Sequence, residues 1–343
     1  MEGGEEWTKE AGSFENVCTY TICTSLMQPN EIHALIQLLD DPDEGVYLHV
    51  REQLLAKGTS VLPALLESRE AHARCEEHER RMDELVDGLH GAFVHQGLRD
   101  WFDSGAESAL EGAMWVHKAA NPLLDMDALR ERYEKLKRNV WLELNEELTA
   151  LEQVRILNHI LYDVENFTNA KSGQPDPNQA LLGEVMSERK GNPLGLGILY
   201  LSLAQDLNLP IHGVNLPNHF ILCYCDEHHI HHESNAPDDQ TPGGVLFYIN
   251  PFSQGTVINK AEVSEFLSHL ELPVDEKNCG PCGSVDIVRR LIGNVAYGYE
   301  RSGHIRQAEK MRELLMFVET GATEMPSTDA STEQGDSSEG GLI

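Results

Sequence analysis

Residues 189–252 constrain this chain more than any other stretch. They open RKGNPLGLGILYLSLAQDLNLPIHGVNLPNHFILCYC, cross a polar loop and close on VLFYINPF. Asn192 suits a helix N-cap, and Pro193 suits the first helical position, where a missing N–H costs nothing. Leu196, Leu199, Tyr200, Leu203 and Leu207 recur at helical spacing until Asn208 and Pro210 stop the run. Ile211–Leu216 and His219–Cys225 then read as strands, and Val245–Asn250 as a third.

Suppose the last two strands form an antiparallel hairpin across the polar loop. A pairing centred near Asn235 sets His219, at the start of one strand, beside Asn250, at the end of the other. A histidine and an amide would meet near a helix N-terminus carrying Gly191, Asn192 and Pro193, with Asn218 next to the histidine. Helix N-terminus, strand histidine and neighbouring carboxylate or amide is the layout of a Cys–His–Asp or Cys–His–Asn site.

RKGNPLGLGILYLSLAQDLNLP, GVNLPNHFIL and INPF together resemble the SirB-type transglutaminase-like proteins, a branch of the transglutaminase/papain-like superfamily. The resemblance covers most of residues 30–319 and implies an α+β fold. Its parts are a helical N-terminal region, a transglutaminase-like core with a small antiparallel sheet, and a C-terminal tetratricopeptide-like helical hairpin. It also implies a nucleophilic cysteine where the motif enters the helix, a histidine opening a strand and an Asp on the next. Those places fall here at Pro193 (or Gly195 under a slipped alignment), His219 and Asn250. Neither Pro193 nor Gly195 can attack a carbonyl. The Asn departure is milder, since Cys–His–Asn sites also work.

Composition narrows the partners. The formal net charge is −31 over 343 residues, which argues against an electrostatic nucleic-acid or anionic-membrane binder. No apolar run reaches the roughly eighteen residues of a membrane span. The start MEGGEEWTKE lacks the basic region and apolar core of a signal peptide, and seven cysteines is an odd count. Both point to a reducing cytoplasm.

The expected organisation follows the punctuation. Residues 1–28 have weak periodicity and read as partly ordered, and 29–148 as a helical region. Within it Asp125 or Asp127 caps a helix running to Trp141. The core spans 149–272 and opens on a capping box, Thr149 with Glu152, which turns Leu151, Val154, Leu157 and Leu161 inward. Residues 273–283 read as a linker, 284–319 as a helical hairpin turned at Gly303, and 320–343 as a disordered Ser/Thr/Gly/acid tail.

Other chemistry-bearing residues read more plainly. Cys223 shares a strand face with His219 but lies about 13 Å along it, too far for a nucleophile–base pair. Cys225 is farther, and Cys18, Cys23 and Cys75 have no motif around them. Cys279 and Cys282 have redox-motif spacing without the strand and helix such a site needs, and with Cys223 and Cys225 they form a weak four-cysteine zinc pattern. His228, His229, His231, His232 and Glu233 read as an exposed hairpin tip, with metal binding as the alternative. Glu184, Glu188 and Arg189 either brace the key helix or are solvated.

The leading expectation is a non-catalytic or regulatory protein that binds a protein or small ligand in a degenerate cysteine-protease-like cleft. No cofactor and no metal are expected, and the helical regions would contact a protein partner. The alternatives are an amide- or ester-directed hydrolase or acyltransferase with His219 as general base, and a metal-dependent activity of the His-rich loop.

Overall fold

A computed structural model of the chain describes residues 29–71, 76–170, 175–217, 219–226 and 244–324. The His228–Glu233 cluster, Asn218, Cys18, Cys23, Cys75 and the ends of the chain lie outside them. Two units separate, 1–57 and 58–343. In the first, α1 (Pro29–Gln37) and α2 (Glu44–Ala56) bury Ile36, Leu39, Val50 and Leu54. Asp43 caps α2 by accepting from the Gly45 N–H.

The second unit is helical around a small sheet. Its helices begin with α3 (Leu62–Ala71), α4 (Glu76–Asp103), α5 (Ala109–Ala120) and α6 (Met126–Trp141). Then come α7 (Ala150–Asn158), which runs on into a π-helical turn, and α8 (Leu182–Glu188). The key helix is α9 (Pro193–Asp206). After the sheet follow α10 (Lys260–His269), α11 (Glu276–Cys279), α12 (Ser284–Arg301) and α13 (Ile305–Glu324). Side-chain caps set several of these starts. Asp125 accepts from Asp127 and Ala128, Thr149 and Glu152 form the expected capping box, and Asn259 and Glu262 form another.

Two short strands, β1 (Thr168–Asn169) and β2 (Lys190–Gly191), pair in parallel. The main sheet runs in the order β3 (Ile211–Val214), β4 (Ile221–Cys225), β5 (Val245–Asn250), β6 (Thr256–Ile258), and every pair is antiparallel. The α+β class therefore stands. α9 is buried on every side from Leu194 to Ala204, as an apolar helix without a polar face must be. One face of the sheet packs on it, while the other holds Val214, Ile221, Cys223, Tyr248, Val263 and Leu267 in a second core.

Three expectations change. Leu151 points out, 46% exposed, while Val154, Leu157 and Leu161 are buried. Residues 273–283 carry a short helix and touch the sheet through an isolated bridge from Cys282 to Gly213. Cys279 is buried, the Tyr248 hydroxyl donates to its carbonyl at 3.0 Å, and the Cys282 N–H donates to the Gly213 carbonyl at 2.8 Å. The last helix continues to Glu324, seating Gly321 against the Phe102 ring, so its end runs into what was read as tail.

His117 gives the fold a pH dependence. It is 1% exposed, and its Nδ1 accepts from the Gly183 N–H at 3.1 Å, so Nε2 carries the proton. Nε2 lies 3.6 Å from the half-exposed Glu184 carboxylate, which does not offset burial, and the pKa falls to about 4. The folded state thus binds the neutral ring, while the unfolded chain protonates near 6.5. The contribution is complete above pH 6.5 and is lost as pH falls toward 4, about 3 kcal/mol in all. His117→Gln, whose amide oxygen can still accept from Gly183, should show a flatter fall in unfolding free energy between pH 7 and pH 4. A parallel fall in both proteins would assign the acid sensitivity elsewhere.

Candidate functional site

The site forms where α9 begins. Asn192 caps it as expected, its Oδ1 accepting from the Gly195 N–H at 2.8 Å. Its Nδ2 donates to Asn294 Oδ1 of α12 at 2.9 Å, and its backbone N–H donates to the Gln179 carbonyl. The Gly191 carbonyl accepts from Ala170, and the Leu196 N–H returns to the Asn192 carbonyl. Of the N–H groups in this first turn, Leu194 alone keeps one without a partner among the described residues. The helix end therefore offers a ligand one amide rather than a cradle of several.

The faces of α9 separate the two alignments. A Cβ at Gly195 would lie 2.5 Å from the Gln179 carbonyl oxygen and 2.9 Å from Val185 Cγ2, so no cysteine fits there. A Cβ at Gly197 would lie 2.5 Å from the Phe220 ring. Pro193 stands four residues before Gly197, one turn up the same face. The face that meets the His219–Phe220 turn is thus the one carrying Pro193, which is half-buried.

His219 lies before the strand rather than in it. Pro217 forces a turn, the His219 N–H donates to the Leu216 carbonyl at 3.1 Å, and pairing starts only at Ile221. Arg290 of α12 fixes this turn, donating to Asn215 Oδ1 and to the Leu216 carbonyl while lying 5.8 Å over the Phe220 ring. The exposed His219 ring meets the Phe266 ring of α10 edge-on at 5.0 Å. Its Nδ1 donates to the Pro217 carbonyl at 3.3 Å, and in the neutral ring that tautomer leaves the lone pair on Nε2.

Asn250 is committed elsewhere. Its Oδ1 accepts from the N–H groups of Phe252 and Ser253, and its Nδ2 donates to Ser253 Oγ at 3.2 Å. It caps the 3₁₀ turn Pro251–Ser253. The His219 and Asn250 side chains, expected within direct or one-water reach of each other, make no direct hydrogen bond. Leu222 faces Ile249, so the register is two residues away from one that sets His219 opposite Asn250, and Asn250 falls beside Ile221. A two-residue slip keeps each side chain on its face and moves only its partner. Asn-Pro at the start of a turn is itself a cap signal, and it was the clue in the sequence to this role.

The cysteines are partly assembled. Cys223 Sγ and Cys225 Sγ lie 3.8 Å apart, buried on the face away from α9, and Cys279 joins the same core. Burial pushes the Cys279 thiol up, and pushes that of Cys282 up to about 12. Among the described residues no three of His, Cys, Asp and Glu are grouped to hold a metal ion. No helix among them is long and apolar enough to cross a membrane.

A buried helix packs through Gly197 on Phe220, beside the His219 turn, against a small antiparallel sheet. The family described as the transglutaminase-like superfamily matches residues 127–293, and the chain carries that domain there. Within that superfamily it is homologous to the SirB1 and UPF0162 proteins. It is 23% identical to protein SirB1 of Salmonella typhimurium over 190 residues, 54% of this chain and 65% of that one. It is 30% identical to a UPF0162 protein of Pseudomonas aeruginosa over 128 residues, 37% of this chain and 47% of that one. To F-box only protein 21 of Homo sapiens it is 24% identical over 231 residues, 61% of this chain; the match spans 35% of that longer protein. No solved structure matches significantly.

Proposed function

We propose that this protein is a non-catalytic or regulatory transglutaminase-like protein that binds a protein or small ligand at the start of α9. The observation that carries this reading is Pro193 at the first position of that helix, on the face that meets the His219 turn. A covalent mechanism needs a thiolate there, and proline supplies none. What remains suits reversible binding: the exposed His219 ring, the Phe266 ring beside it and the single Leu194 N–H. A peptide or carboxamide group, with one donor and one acceptor, matches that set. Partner contact through the helical hairpin is supported by exposed Tyr297, Ile305 and Met316.

The enzyme alternative keeps His219 as general base for an amide- or ester-directed hydrolase, and the free Nε2 is the feature in its favour. The two readings part in one experiment. Amide, ester and amine-acceptor substrates are assayed with the native protein and with His219→Ala, and both proteins serve as bait in native lysate. Binding predicts no turnover by either, and a partner retained by the native protein and lost with His219→Ala. Turnover that disappears with His219→Ala would establish the hydrolase reading instead.

A further inference from the structure

The other end of α9 opens on a second site. There the chain leaves Asp206, passes through Asn208 at φ 56° and enters β3. Between this end, the start of α5 and the first residues of β3 lies a cavity of about 530 Å³, within the range of small-molecule sites. Ser202 stands on its wall, 1% exposed, and its hydroxyl finds no hydrogen-bond partner among the described residues. A buried hydroxyl left in that state costs on the order of 1–3 kcal/mol. Gln205 and His212, on the same wall, also make no side-chain hydrogen bond among the described residues. Burial lowers the His212 pKa, so its ring is neutral at pH 7 and offers one donor and one acceptor.

The charges around the cavity have one sign. Glu107 and Asp206 line it, and no lysine or arginine does. Asp206 is partly offset, accepting from Tyr133 at 3.0 Å and meeting Lys137 at 3.5 Å. Glu107 is exposed, and no cation meets it among the described residues. The C-terminal end of α9 adds partial negative charge. Phosphates and carboxylates are repelled by this field, and cations are drawn in. Leu110, Leu209 and Ile211 supply an apolar wall for a hydrocarbon stem.

We propose that this cavity binds a small organic cation: a primary ammonium on a short apolar stem that ends in a neutral hydrogen-bonding group. The ammonium sits beside Glu107 and Asp206. The neutral group reaches Ser202, Gln205 and His212, and gives the orphaned hydroxyl its partner. The site is separate from the His219 turn, because the 14 residues of α9 span about 20 Å.

The probe is 5-aminopentanamide, titrated into the full-length protein by calorimetry at pH 7.5. Pentanamide, which lacks the charge, and adipic acid monoamide, which reverses it, are the controls. Saturable binding is expected at millimolar Kd or better, with both controls weaker by about tenfold or more. Glu107→Gln, on the surface, should weaken binding severalfold. Ser202→Ala should weaken it while leaving Tm unchanged or raised, because the apo protein loses an unsatisfied hydroxyl. A hydroxyl with a purely structural partner would instead lower Tm when removed. Absence of saturable binding, equal binding of adipic acid monoamide, or affinity indifferent to both substitutions would overturn the proposal. None of these outcomes bears on the His219 turn, so failure here and failure of the proposed function are distinguishable.

Discussion

Pro193→Cys is expected to create a fast-reacting thiol at the start of α9. A cysteine at this first helical position would sit in the partial positive charge of the helix N-terminus, which lowers a thiol's pKa. The position is half-buried, on the side of the His219 turn. The native cysteines among the described residues compete poorly. The Cys223 thiol is held up by donating to Cys225 and by burial, Cys279 is pushed up by burial, and Cys282 rises to about 12. Cys225 is shifted down as the acceptor of that hydrogen bond, but it is 1% exposed. Iodoacetamide at pH 7, read by peptide mapping, should label the new thiol roughly tenfold or more faster than these four. The native protein should show no thiol-inhibitable acyl transfer. Gly195→Cys is the matched control, and it should fold poorly or not at all, since its Cβ would run into the Gln179 carbonyl. If the thiol at position 193 reacts no faster than the buried ones, the nucleophile position of this superfamily does not map to Pro193. Thiol-inhibitable turnover by the native protein would show that one of its own cysteines reaches the site.

Local signals in the sequence carried most of the helix starts. Asn192 with Pro193, Thr149 with Glu152, and Asp125 are caps whose partners lie within three residues, so chain pattern alone specifies them. What the sequence left open was set by distant partners. The β4–β5 register depends on how the sheet packs on α9, and the long polar loop does nothing to fix it, so a two-residue slip was invisible. Leu151 falls at the margin of its helix face, where tertiary packing decides between core and solvent. Phe266 and Arg290, which touch the His219 turn, come from helices 47 and 71 residues further along the chain and carry no motif. The choice between Pro193 and Gly195 is likewise a question of faces, and the Gln179 carbonyl behind Gly195 leaves no room for a side chain there.

Gly255→Ala should be the most damaging small substitution in the core. Gly255 sits at φ +68°, a left-handed conformation that costs a residue with a Cβ about 1 kcal/mol. Other glycines share that cost, and what is particular here is the neighbour. An added Cβ would lie 1.8 Å from Asn158 Oδ1 and 2.4 Å from its Cγ, inside any contact distance. Asn158 has nowhere cheap to go. Its Nδ2 donates to the Gly255 carbonyl at 2.9 Å, and its Oδ1 accepts from the Tyr200 hydroxyl at 3.1 Å. Tyr200 is fully buried in α9, so displacing Asn158 leaves its hydroxyl only the longer 3.5 Å contact with the Val154 carbonyl. Strain, two lost hydrogen bonds and a poorly satisfied buried hydroxyl together amount to about 4 kcal/mol. At this chain length that corresponds to a fall in Tm of roughly 6 °C. Gly303→Ala isolates the backbone part, because Gly303 has φ +80° and nothing within 4 Å of an added Cβ. It should cost only about 1 kcal/mol. Calorimetry on the two variants measures the difference, which is the worth of the Asn158 hub. The same hub holds the end of β5, because the Gly255 N–H closes the turn onto the Asn250 carbonyl at 2.9 Å. If the two substitutions cost the same, Asn158 moves aside freely, and the turn after Asn250 is held by the Tyr162 hydroxyl on the Pro251 carbonyl instead.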